Sequence, residues 1–144
     1  MEEFRIEKEV YDRILGVCSV PPETGGMIGG KDKRIYMLVV EEPNGEYEYR
    51  PDVNLLNKII ADWNNRGISF YGLFHSHGVN GKLSKGDVEY IKVIMHAMPI
   101  CIDTLLFPVV LPQERMIPYM AKRIGEEVVI EEIELKIVSN QKVS

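Results

Sequence analysis

The sequence holds only two cysteines, Cys18 and Cys101, and they form neither a CxxC pair nor a spaced disulfide framework. Lone cysteines in apolar surroundings behave as small buried hydrophobes, and both are read so here. Long apolar runs are also missing. The longest are broken at Pro99, Pro108 and Pro112, and none reaches the roughly 18 residues that a membrane helix needs. The opening MEEFRIEKEV is acidic and lacks an apolar core, unlike a signal peptide, so a cytoplasmic protein is expected. Positive charge is not in excess: 17 basic against 22 acidic side chains leave −5. Such a balance argues against sequence-independent nucleic-acid binding. The short run Lys31, Lys33, Arg34 reads as a solvated turn.

Repeats, low-complexity tracts and linkers are absent as well. At 144 residues the chain suits one domain that buries its own core without staples. That domain is expected to span 1–138, with 139–144 a frayed tail.

The pattern along the chain predicts alternating strands and helices. Phe4 to Ile6 reads as a short strand, and Val10, Ile14 and Val17 give Lys8 to Val17 a helical stripe. Gly-Gly-Met-Ile-Gly-Gly at 25–30 is an apolar core between glycine pairs, a strand whose backbone lies close to something else. Arg34 to Glu42 is a strand ending at the turn Pro43-Asn44-Gly45, with Glu46 to Tyr49 as a returning strand. Pro51 to Asn64 is the clearest helix, with Val53, Leu56, Ile60 and Trp63 as its stripe. Ile68 to His77 is a buried strand, and Ser84 to Met98 a helix with Val88, Ile91, Met95 and Met98 inward. Strands follow over Thr104 to Leu111 and Arg115 to Arg123, and alternation at Ile133, Leu135 and Ile137 makes a final half-exposed one. Glu126, Glu127, Glu131, Glu132 and Glu134 concentrate acidity near the end. The outline is a mixed sheet flanked by helices, an α/β (α+β) sandwich.

Chemistry concentrates in one segment. Two of the three histidines, His75 and His77, stand as His-x-His at the end of a predicted strand. Residues i and i+2 of a strand share a face, so the two rings can hold one metal ion. Asp87, on the following helix, can supply a third ligand, and three protein ligands with an open position suit a catalytic zinc. Ser84-x-x-Asp87 is also ordinary helix-start chemistry, a capping box. His96, late in that helix, reads as structural. A metal hydrolase further needs a base, and Glu23 stands just before the glycine-flanked strand.

His75-x-His77 with Ser84-x-x-Asp87, and Glu23 upstream in Pro-Pro-Glu-Thr-Gly-Gly-Met-Ile-Gly-Gly, resembles the motif of the JAMM (MPN-type) zinc metallopeptidases, in particular the prokaryotic branch. The resemblance runs from about residue 4 to 123. It implies one zinc ion on His75, His77 and Asp87, Glu23 as base and then acid, and Ser84 as hydrogen-bond donor to the oxyanion. It also implies a cytidine-deaminase-like fold, although the deaminase H-x-E and P-C-x-x-C signature is absent. The implied substrate is a ubiquitin-like or sulfur-carrier protein with a Gly-Gly tail, cut at a peptide or isopeptide bond after the tail. The tail is expected to add as a strand near Gly25 to Gly30 or near the loop after His77. Two departures fall in that loop: it is one residue shorter than usual, and Gly78 replaces the usual proline. A non-catalytic binding or scaffold module and a zinc hydrolase of a small molecule stay open as alternatives.

Overall fold

A computed structural model describes residues 3–19, 23–41, 51–77 and 80–140. Among the described residues, eight strands and three helices follow in the order β1 (Phe4–Glu7), α1 (Lys8–Val17), β2 (Gly25–Lys31), β3 (Arg34–Glu41), α2 (Val53–Asn65), β4 (Ser69–Ser76), α3 (Lys85–Ala97), β5 (Thr104–Leu111), β6 (Arg115–Ile124), β7 (Glu127–Glu132) and β8 (Leu135–Val138). The strands form one mixed sheet in the order β7-β6-β5-β4-β2-β3-β1-β8. Three pairs are parallel: β1 with β3, β1 with β8, and β4 with β5.

The connectivity forces this sheet to curl. β7 and β8 occupy its two ends, yet only Ile133 and Glu134 separate them. Seven flat strand spacings would span roughly 34 Å, whereas three Cα–Cα steps reach at most about 11 Å. The two edges must therefore approach each other. Both faces of the central strands are buried, with α2 and α3 on one and α1 on the other. On β4, Leu73 joins a cluster with Trp63 of α2 and Ile91 and Met95 of α3. Its neighbour Phe74 faces the other way, into a cluster with Val10 and Ile14 of α1. β2 divides alike, Met27 to the first cluster and Ile28 to the second.

The helices begin where their caps dictate. The Asp52 side chain accepts from the Leu55 N–H at 3.1 Å and starts α2. The buried stripe of α2 runs through Leu56 and Trp63, with Ile60 packed beside it. Val53, expected in that stripe, lies beyond its end and is 60% exposed. Packing also explains part of the glycine strand: a Cβ on Gly29 would lie 2.5 Å from the Trp63 ring.

Two further expectations are corrected, at β2 and Cys101, and one strand, β7, is added. β2 is no edge, because Gly25 to Gly30 pair with β3 on one side and β4 on the other; a substrate tail cannot add there. β7 was hidden by its acidic residues, although Val128 and Ile130 turn inward onto the core and Gly125, at φ 62°, makes the turn from β6. Cys101 is exposed, while Cys18 is buried as expected, and burial pushes its thiol up to about 12. The expected strand Glu46 to Tyr49 lies outside the described residues. No helix among the described residues is long and apolar enough to cross a membrane.

Candidate metal centre

The site forms where the C-terminal end of β4 meets the N-terminus of α3. His75 and His77 share the β4 face that carries Leu73, so they point toward α3. α3 starts at Ser84, whose hydroxyl accepts from the Asp87 N–H at 3.0 Å. The Asp87 carboxylate accepts in return from the Ser84 N–H at 2.9 Å. This is the capping box that the spacing allows. It also aims the carboxylate at the histidines, so the cap and the candidate ligand are one side chain.

The two His Nε2 atoms are 3.1 Å apart. Asp87 places Oδ2 at 2.9 Å from His77 Nε2 and Oδ1 at 3.4 Å from His75 Nε2. A tetrahedral zinc with bonds of about 2.0–2.1 Å keeps its ligand atoms about 3.3 Å apart. The donor set and its spacing fit such an ion, and these three residues form a group able to hold a metal. His75 and Asp87 are buried and His77 half-buried.

The charges at the site are suited to a cation. Burial opposes ionisation of Asp87, but hydrogen bonds from His75, His77 and the Ser84 backbone outweigh it and hold its carboxyl well below the usual range. His77 is raised above the ordinary imidazole value, chiefly by its hydrogen bond to Asp87; burial works against this, and the charges of Asp87 and Glu23 add to it. His77 Nδ1 lies 3.3 Å from the Asn80 carbonyl, to which its N–H donates. Neutral His77 would then present an Nε2 lone pair to the Asp87 carboxylate. A proton or a metal ion relieves that opposition. His75 is held differently. Its Nδ1 is buried without a hydrogen-bond partner among the described residues, and the ring is oriented by edge contacts with His77 and Tyr90.

Glu23 is half-buried, and its charge reaches His77. The next residue, Thr24, is tied to β4 through Ser76. The Ser76 hydroxyl, fully buried, donates to the Ser19 carbonyl at 2.7 Å and accepts from the Thr24 N–H at 2.8 Å. The Ser76 N–H donates to the Thr24 carbonyl at 2.8 Å. The middle residue of His-x-His thus anchors the segment that carries Glu23, a role no sequence spacing signals. His96 lies in the last turn of α3, exposed and at the opposite end from the site.

Comparison with solved structures identifies the architecture. A JAB1/MPN domain protein of Archaeoglobus fulgidus superposes with TM-score 0.57 at 17% identity, over 96% of this chain and 100% of that one. The chain has a JAB1/MPN-like fold. A Desulfitobacterium hafniense protein solved in solution matches this JAB1/MPN-like chain with TM-score 0.65 at 20% identity, over 94% of each. A Salinibacter ruber protein matches with TM-score 0.56 at 14% identity, over 94% of this chain and 92% of that one. No protein-family model and no curated protein sequence matches the chain.

Proposed function

We propose that this JAB1/MPN-like chain is a zinc-dependent peptidase or isopeptidase of the JAMM type. Its proposed substrate is a ubiquitin-like or sulfur-carrier protein, cut after a C-terminal Gly-Gly tail. The observation that carries the reading is the convergence of His75, His77 and Asp87 at the junction of β4 and α3. The fold of the Archaeoglobus JAB1/MPN domain protein supports it, and the substrate class follows from the motif's resemblance.

Zinc held by these residues would acidify water and polarise a carbonyl oxygen. Glu23 then acts as the general base, accepting a proton from the attacking water and passing it to the leaving nitrogen. Its carboxylate is suited to this because the Ser76 bonds tether the backbone beside it. Ser84 spends an acceptor lone pair on the helix cap. Its own O–H remains a donor, able to stabilise the oxyanion of the scissile carbonyl.

The test is cleavage of a fusion whose scissile bond follows the Gly-Gly tail of a β-grasp carrier, with zinc supplied. Hydrolysis by the wild type, lost in Glu23→Gln while zinc content is unchanged, supports the reading. A zinc-loaded protein that binds the carrier and cleaves no conjugate, with binding insensitive to Glu23→Gln, would establish a binding module instead.

A further inference from the structure

The connection from His77 to Ser84 must deliver two ligands, His77 at its start and Asp87 just beyond its end. It is one residue shorter than the related motif, so what shapes it matters. The structure shows an external support. The Tyr119 hydroxyl, on β6, donates to the Gly81 carbonyl at 2.7 Å. Two residues earlier on the same face of β6, Ile117 fills the space where a Gly81 side chain would go. A Cβ there would lie 1.6 Å from Ile117 Cδ1. Gly81 is buried, its backbone seated directly on Ile117 and Tyr119.

Both ligands connect to this seat. On one side, the Asn80 side chain accepts from the Lys82 N–H at 2.9 Å, closing a turn around Gly81. The Asn80 carbonyl faces His77 Nδ1, the contact that leaves Nε2 directed at the site. On the other side, Leu83 packs against the core and leads into the Ser84 cap that aims Asp87.

We propose that Tyr119 is a positioning residue for the metal centre. Its bond to Gly81 holds residues 80–83 in place, so that the Asn80 carbonyl orients His77 and the α3 cap presents Asp87. The proposal rests on the metal-centre reading and is independent of any peptidase chemistry.

The test is zinc affinity, measured with the metal alone by competition against a chelator. Losing a partner that orients a ligand typically weakens metal binding about 10–100-fold. Tyr119 acts one contact further out, so Tyr119→Phe is expected to weaken zinc binding by about 10-fold. The melting temperature of the metal-free protein should fall by at most a few degrees. Gly81→Ala should weaken zinc binding as well. Adding Ile117→Val, which removes Cδ1, should restore much of it, a rescue that general destabilisation would not produce. If Gly81→Ala does not fold, Tyr119→Phe decides alone. Wild-type zinc affinity in Tyr119→Phe overturns the proposal. A wild-type protein that takes up no zinc overturns the metal centre and this device with it.

Discussion

Ser84→Ala separates two jobs that the structure gives to one residue. The hydroxyl accepts from the Asp87 N–H at 3.0 Å, and its loss leaves one helix N-terminal donor without that partner. Ser84 is exposed, so no cavity adds to the cost. The cap bond is worth about 1 kcal/mol, and for a domain of this size that lowers the melting temperature by about 2–4 °C. The second half of the capping box survives, because the Asp87 carboxylate accepts from the Ser84 backbone N–H, which alanine keeps. Asp87 therefore stays aimed at His75 and His77. Thermal unfolding of the metal-free variant should show the small drop, and chelator competition should show zinc affinity within a few-fold of wild type. On the proposed mechanism, kcat for a Gly-Gly-tailed conjugate falls about 10²–10³-fold with zinc still bound, as when an oxyanion donor is removed. Loss of zinc in Ser84→Ala would refute the claim that the backbone half of the box positions Asp87. An unchanged melting temperature would refute the cap.

Gly29→Ala places a methyl 2.5 Å from the Trp63 ring and 2.8 Å from the Ser69 carbonyl; overpacking of this kind costs about 1–3 kcal/mol, readable in urea unfolding, and a neutral result would mean that Trp63 moves aside freely. Ser76→Ala strips partners from the Ser19 carbonyl and the Thr24 N–H and should destabilise by about 1–3 kcal/mol while keeping zinc; zinc loss would show that Ser76 supports the ligands themselves. Metal-free stability should respond to pH in two limbs. His77 is raised, so its contribution is complete below the ordinary 6.5 and is lost as pH rises through its folded value. Asp87 is lowered, so its contribution is complete above the ordinary 3.8 and is lost as pH falls toward its folded value. Maximum stability should lie between those ordinary values, and denaturation midpoints still climbing above neutral pH would contradict this. Zinc affinity should move the other way with alkali, rising until His77 has lost its proton.

Much of the architecture is legible in the residues because local signals and burial agree. The stripe Val10, Ile14 and Val17 (the last of which is exposed), the Ser84 cap and the run from Thr104 to Leu111 yield elements within a residue or so of those observed. β7 is less legible because Val128 and Ile130 sit among four glutamates, and an edge strand exposes enough surface to carry such charge. The glycine strand suggests close backbone approach, but the sequence does not tell whether the neighbour is a ligand or a tryptophan; Gly29 meets Trp63. His75, His77 and Asp87 are legible through spacing, since a strand and a helix start have fixed side-chain directions. The supports are not. Ser76 and Tyr119 act across contacts such as Gly81 to Tyr119, 38 residues apart, and no local pattern encodes a partner at that distance.

His75, His77 and Asp87 are expected to hold one metal ion. Elemental analysis of the zinc-loaded protein, dialysed free of loosely bound metal, beside His77→Ala and Asp87→Ala decides whether they do. About one zinc per wild-type chain, lost in both variants while they remain folded, is the predicted result. A wild type without zinc, or variants that retain it fully, would contradict the account.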